Sequence, residues 1–86
     1  MNKTESRITH DLKSALSEWG VNPPGGIDDE QSLIGSGLVD SMALFNLACW
    51  IEDRTGQPID PLAIDLRREW DSVAAIARFV AVRTGR

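Results

Sequence analysis

Apolar residues recur along this chain at helical spacing, and no stretch alternates with period two for long enough to predict a strand. Over 4–19, Ile8, Leu12, Ala15, Leu16 and Trp19 share one face with charges between them, and Gly20 suits the end of that helix. "GVNPPGG" follows, with two prolines and three glycines in seven residues, which neither a helix nor a central strand tolerates. The loop it opens runs to about Val39. Apolar pins at Ile27, Leu33, Ile34, Leu38 and Val39 predict that it is packed down, and loops of this length are often functional. A second helix is predicted over 41–55, ended by Gly56 and Pro58. "DPLAIDLRREW" opens with an Asp N-cap followed by proline, which predicts a short third helix over 61–67. Asp71 is placed to cap a fourth helix over 72–83, whose stripe is Val73, Ile76, Ala77 and Val80. The predicted fold is an all-α four-helix bundle, with three main helices, a short third one and a long first loop, in one domain over 1–86.

The second helix carries more apolar surface than one buried face needs. On a helical projection Leu44, Leu47, Ala48, Ile51 and Thr55 fall within about 100° of one another and form the core stripe. Met42, Phe45 and Cys49 fall on nearly the opposite side, and Glu52 and Asp53 continue that face. Either the long loop covers this second stripe or a partner does. Trp50 lies between the two stripes, at the boundary of the core.

Charge adds a direction to this picture. The net charge is −4, yet 27–66 holds eight acids against the single base Arg54, so that segment carries −7 and the remainder +3. A middle so acidic repels nucleic acid, whose phosphates need lysine and arginine. It is either a solvated surface or a face for partners with basic patches. The lone Cys49 excludes a disulfide within the chain, no apolar run is long enough to span a bilayer, and the polar N-terminus does not read as a signal peptide. These features predict a cytoplasmic protein, and a small all-α acidic one is expected to be a monomer.

Catalytic chemistry is sparse. His10 is the only histidine and lies on a polar stretch far in sequence from Ser41, so a Ser-His-Asp arrangement lacks support. One histidine, one cysteine and scattered carboxylates give no metal-ligand spacing, and "GSG" lacks the lysine and strand of a phosphate cradle. The chain is therefore read as no enzyme by itself. Ser41 remains, in "SGLVDSM". It is a plain first helical residue behind an Asp40 cap, or an attachment point, since a helix start favours an anion and Gly37 permits a tight turn just before it.

"SLIGSGLVDSMALFNLACWIEDRTG" resembles the central segment of acyl and peptidyl carrier proteins, with their Asp-Ser pair followed by an apolar helix and a glycine. The likeness runs along the whole chain, from an amphipathic first helix through a pinned loop to a closing fourth helix. "GLVDSM", "IEDRTG" and "IDLRREWDSVAAIARFV", with Trp70 before the last helix, are most similar to freestanding aminoacyl carriers of the D-alanyl type. The resemblance implies that Ser41, beside Asp40, carries a 4′-phosphopantetheine arm donated by coenzyme A through a phosphopantetheinyl transferase, making the chain a phosphoprotein. It implies an aminoacyl or acyl group held as a thioester, loaded by a ligase and passed to a downstream transferase. Met42, Phe45, Cys49, Glu52 and Asp53 match the family's partner-facing positions, while Met42 replaces the usual leucine and Asn46 stands where an acid is common. The alternative is a small helical protein-interaction domain with no prosthetic group.

Overall fold

A computed structural model describes residues 3–84. They form α1 (Lys3–Glu18), α2 (Ser41–Thr55), a 3₁₀ turn (Pro61–Ala63), α3 (Leu66–Glu69) and α4 (Val73–Thr84), with no strand among the described residues. The radius of gyration, 11.8 Å, is that of a well-packed chain of this length, about 12 Å. α4 is the common partner, packed against α1, α2 and α3. Its sequence suits that place: Val73, Ala74, Ile76, Ala77, Phe79 and Val80 are all buried.

Both long helices end as their sequences dictate. Gly20 takes φ +88°, and the Val21 N–H donates to the Leu16 carbonyl (2.9 Å) while the Gly20 N–H donates to that of Ser17 (3.1 Å). This is a Schellman ending, with Leu16 and Val21 both in the core. At the end of α2, Gly56 is left-handed and its N–H donates to the Glu52 carbonyl at 2.8 Å. An ion pair between Arg54 and Asp11 (3.0 Å) ties α2 to α1, and the same guanidinium lies 4.6 Å above the Trp50 ring.

The third helix departs from the predicted 61–67. A 3₁₀ turn, capped by Asp60 through the Leu62 N–H (3.0 Å), stops at Ala63, and a separate single turn begins at Leu66. Ile64 between them is extended (φ −115°, ψ 142°). Ile64 and Leu66 both pack against the core. Residues two apart share a side in extended chain but lie about 200° apart on a helix, so burying both breaks the helix.

The start of α4 also differs from expectation. Ser72, not Asp71, caps it: the Ser72 Oγ accepts from the Ala75 N–H at 3.0 Å. The Asp71 carboxylate turns instead to the long loop, where Oδ1 accepts from the Ile34 and Gly35 N–H groups (2.8 and 2.9 Å) and Oδ2 from the Ser32 hydroxyl (2.8 Å). The backbone reinforces the junction, with the Leu33 N–H donating to the Asp71 carbonyl and the Ala74 N–H to that of Asp29. Leu33 and Val39 are buried, and Ile27, Ile34 and Leu38 pack partly against the core. The loop is pinned both by its apolar residues and by one carboxylate.

Candidate functional site

The loop delivers the chain to the start of α2. Gly37 adopts φ +85°, a turn unfavourable for any residue with a side chain, and the Val39 N–H closes the turn onto the Leu33 carbonyl at 3.0 Å. Asp40 is extended (φ −85°, ψ −173°), and its Oδ1 accepts from the Ala43 N–H at 2.9 Å. Its carbonyl accepts from the Leu44 N–H at 2.8 Å, beginning the helical ladder. The first two amides of α2, on Ser41 and Met42, donate to no described residue. Ser41 is exposed, and its hydroxyl makes no hydrogen bond among the described residues. No described side chain hydrogen-bonds it as a base would, while open N–H groups lie beside it at the positive end of the helix.

The outward face of α2 is bare. Met42 is 76% exposed and Phe45 68%, so the long loop does not cover them. Cys49 and Asp53 are exposed too, and Asn46 is half-buried. Glu52 differs from its neighbours on that face: it is half-buried, and its carboxylate accepts from the Ile59 N–H at 2.7 Å. It braces the chain after α2, which reduces its freedom to meet a partner. Inside, Ala43, Leu47, Ala48 and Ile51 are buried, so α2 has one dry face and one apolar wet one.

Leu62 was missed by sequence reasoning and is the most exposed large apolar residue among the described ones, at 95%. As part of a continuous helix it would share a face with Leu66, four residues on. The break at Ile64 leaves Leu62 outside and turns Leu66 in, and no local signal announces that break.

Asp71 holds the loop that leads into this site. Burial pushes its carboxyl up, but the Gly35 N–H, the Ser32 hydroxyl, the Ile34 N–H and the charge of Arg67 together outweigh it. The net result is a carboxyl held below its ordinary value of 3.8 and ionised at neutral pH. Arg67 also lies close over Gly35, where a β-carbon would come within 2.8 Å of its guanidinium and 2.7 Å of the Ser32 hydroxyl.

Among the described residues no three His, Cys, Asp or Glu side chains gather as a metal site, and no helix is long and apolar enough to cross a membrane. His10 is exposed on α1. In comparisons with protein-family models, with curated proteins and with solved structures, nothing matches this chain.

Proposed function

We propose that this chain is a carrier protein whose Ser41 holds a 4′-phosphopantetheine arm, and that it presents an aminoacyl or acyl group to partner enzymes. The observation that carries the reading is the start of α2. A side-chain cap on Asp40 leaves Ser41 exposed, with an unpaired hydroxyl and two open backbone amides, directly beside bare Met42 and Phe45.

The residues present fit such a group. The Ser41 hydroxyl would supply the oxygen of a phosphodiester, and the amides of Ser41 and Met42 would face its negative charge. When bound, the arm supplies a terminal thiol for thioester chemistry. Asp40 keeps α2 wound up to its first residue, so the attachment point stays at a fixed corner. Met42, Phe45, Cys49 and Asp53 form the surface that a transferase, a loading ligase and a downstream acceptor enzyme would meet in turn. Apolar centre and acidic edge suit brief docking, in which complementary charge speeds encounter.

The test is modification itself. Incubation of the purified protein with coenzyme A and a phosphopantetheinyl transferase is expected to add one phosphopantetheine to the intact mass, and Ser41→Ala to abolish the addition. No addition with transferases of different specificity contradicts the carrier reading and favours an interaction domain that uses Met42, Phe45 and Leu62 alone.

A further inference from the structure

The arginines of α3 and α4 are not used by the site at Ser41. From 67 to 84 the chain has four arginines (Arg67, Arg68, Arg78, Arg83) against two carboxylates, Glu69 and Asp71, and Asp71 is turned into the loop. Three of them, Arg68, Arg78 and Arg83, line one open cleft of about 270 Å³ together with Glu69, Ala75 and Val82. Arg68 and Arg78 are exposed and pair with no described carboxylate. Arg83 is held in place: its guanidinium lies 3.5 Å above the Phe79 ring and donates to the Phe79 carbonyl at 3.2 Å. Phe79 in turn packs edge-on against fully buried Trp70, with ring centroids 5.5 Å apart. A cation fixed in this way loses little freedom on meeting an anion.

From this arrangement we infer that the α3–α4 cleft is a second docking surface, for an acidic protein segment that carries an apolar residue among its carboxylates. Charge complementarity sets the sign: three arginines face one acid in a molecule whose net charge is −4. Guanidinium forks match carboxylates with two parallel hydrogen bonds. Val82 on the cleft wall is 73% exposed, and with Ala75 it offers an aliphatic contact that a phosphate backbone has nothing to fill. Single-stranded nucleic acid also needs aromatic faces for stacking, but Phe79 is buried and its face is covered by Arg83. The acidic 27–66 segment opposes any long polyanion. The cleft stands on α3 and α4, so its occupancy does not depend on modification of Ser41.

The probe is a short synthetic peptide alternating glutamate with leucine, titrated into the isotope-labelled protein and followed by amide NMR. Shifts are expected at 68–69 and 75–83, with affinity lowered about tenfold or more in R68E/R78E and falling as salt rises. Both substituted residues are exposed and unpaired, so the thermal melt of that variant should match the parent, and Ser41→Ala should bind like the parent. Equal binding of a lysine–leucine peptide, shifts confined to α2, tighter binding of oligothymidylate, or unchanged affinity in R68E/R78E overturns the inference.

Discussion

Replacing Asp71 probes the connection between the end of the chain and the loop that carries the site. Its carboxylate receives three donors from residues 32, 34 and 35, nearly forty positions earlier. Hydrogen bonds to a charged acceptor contribute about 1.5–3 kcal/mol each where buried. This junction is part-buried and the Gly35 bond is exposed, so about 3 kcal/mol in total is a reasonable loss for Asp71→Ala. A domain of this size has roughly 4–13 kcal/mol of stability, so the loss is a large share of it. The melting temperature should fall by about 12–24 °C. Asp71→Asn should cost far less, about 1 kcal/mol, because its amide oxygen still accepts from Ile34 and Gly35 and its NH₂ donates to the Ser32 oxygen. The folded carboxyl is depressed, so its contribution is complete above 3.8 and is lost as pH falls through the lower folded value. The gap between parent and Asp71→Asn should therefore narrow in acid. Urea unfolding at several pH values, with amide exchange at Ile34 and Gly35, measures all three effects. Equal costs for Ala and Asn, or a gap that widens in acid, would refute the reasoning.

Further substitutions separate local from long-range effects. Asp40→Ala removes the cap at Ala43 and should cost about 1 kcal/mol in urea unfolding, with the loss of exchange protection concentrated at the start of α2. Gly37→Ala meets no atom within 4 Å, so its cost comes from the positive φ alone, about 1–2 kcal/mol by the same measurement. Trp70 is fully buried and its indole N–H has no hydrogen-bond partner among the described residues. Trp70→Phe removes that unsatisfied donor while leaving a modest void, so it should cost about 1 kcal/mol or less, against about 3–5 kcal/mol for Trp70→Ala. Calorimetric melts showing equal losses for the two variants would count against that account of Trp70.

What the sequence made legible was local. α1 and α2 follow from apolar spacing and from glycines just past their ends, and Asp40 caps a residue only three positions away. The second stripe of α2 was visible as a helical projection, but the projection left open whether the long loop covers it, and the exposure of Met42 and Phe45 comes from the structure. The missed features all depend on distant neighbours. Asp71 looks like a helix cap, but three donors from the loop outcompete a single amide and Ser72 takes over the cap. Glu52 looks free on its helix until Ile59 turns back to meet it. Leu62, which the sequence pattern did not single out, is left outside because the burial of both Ile64 and Leu66 breaks the helix. Pattern reading gives each residue's neighbours along the chain, and these outcomes were set by neighbours across it.

The central claim concerns the hydroxyl oxygen of Ser41, an exposed residue at the start of α2 whose side chain has no hydrogen-bond partner among the described residues. Intact mass spectrometry after incubation with coenzyme A and a phosphopantetheinyl transferase tests it most directly. The account predicts a single added phosphopantetheine in the parent protein, localised to Ser41 by peptide mapping, and no addition in Ser41→Ala. An unmodified parent chain, or an addition that persists in Ser41→Ala, would contradict it.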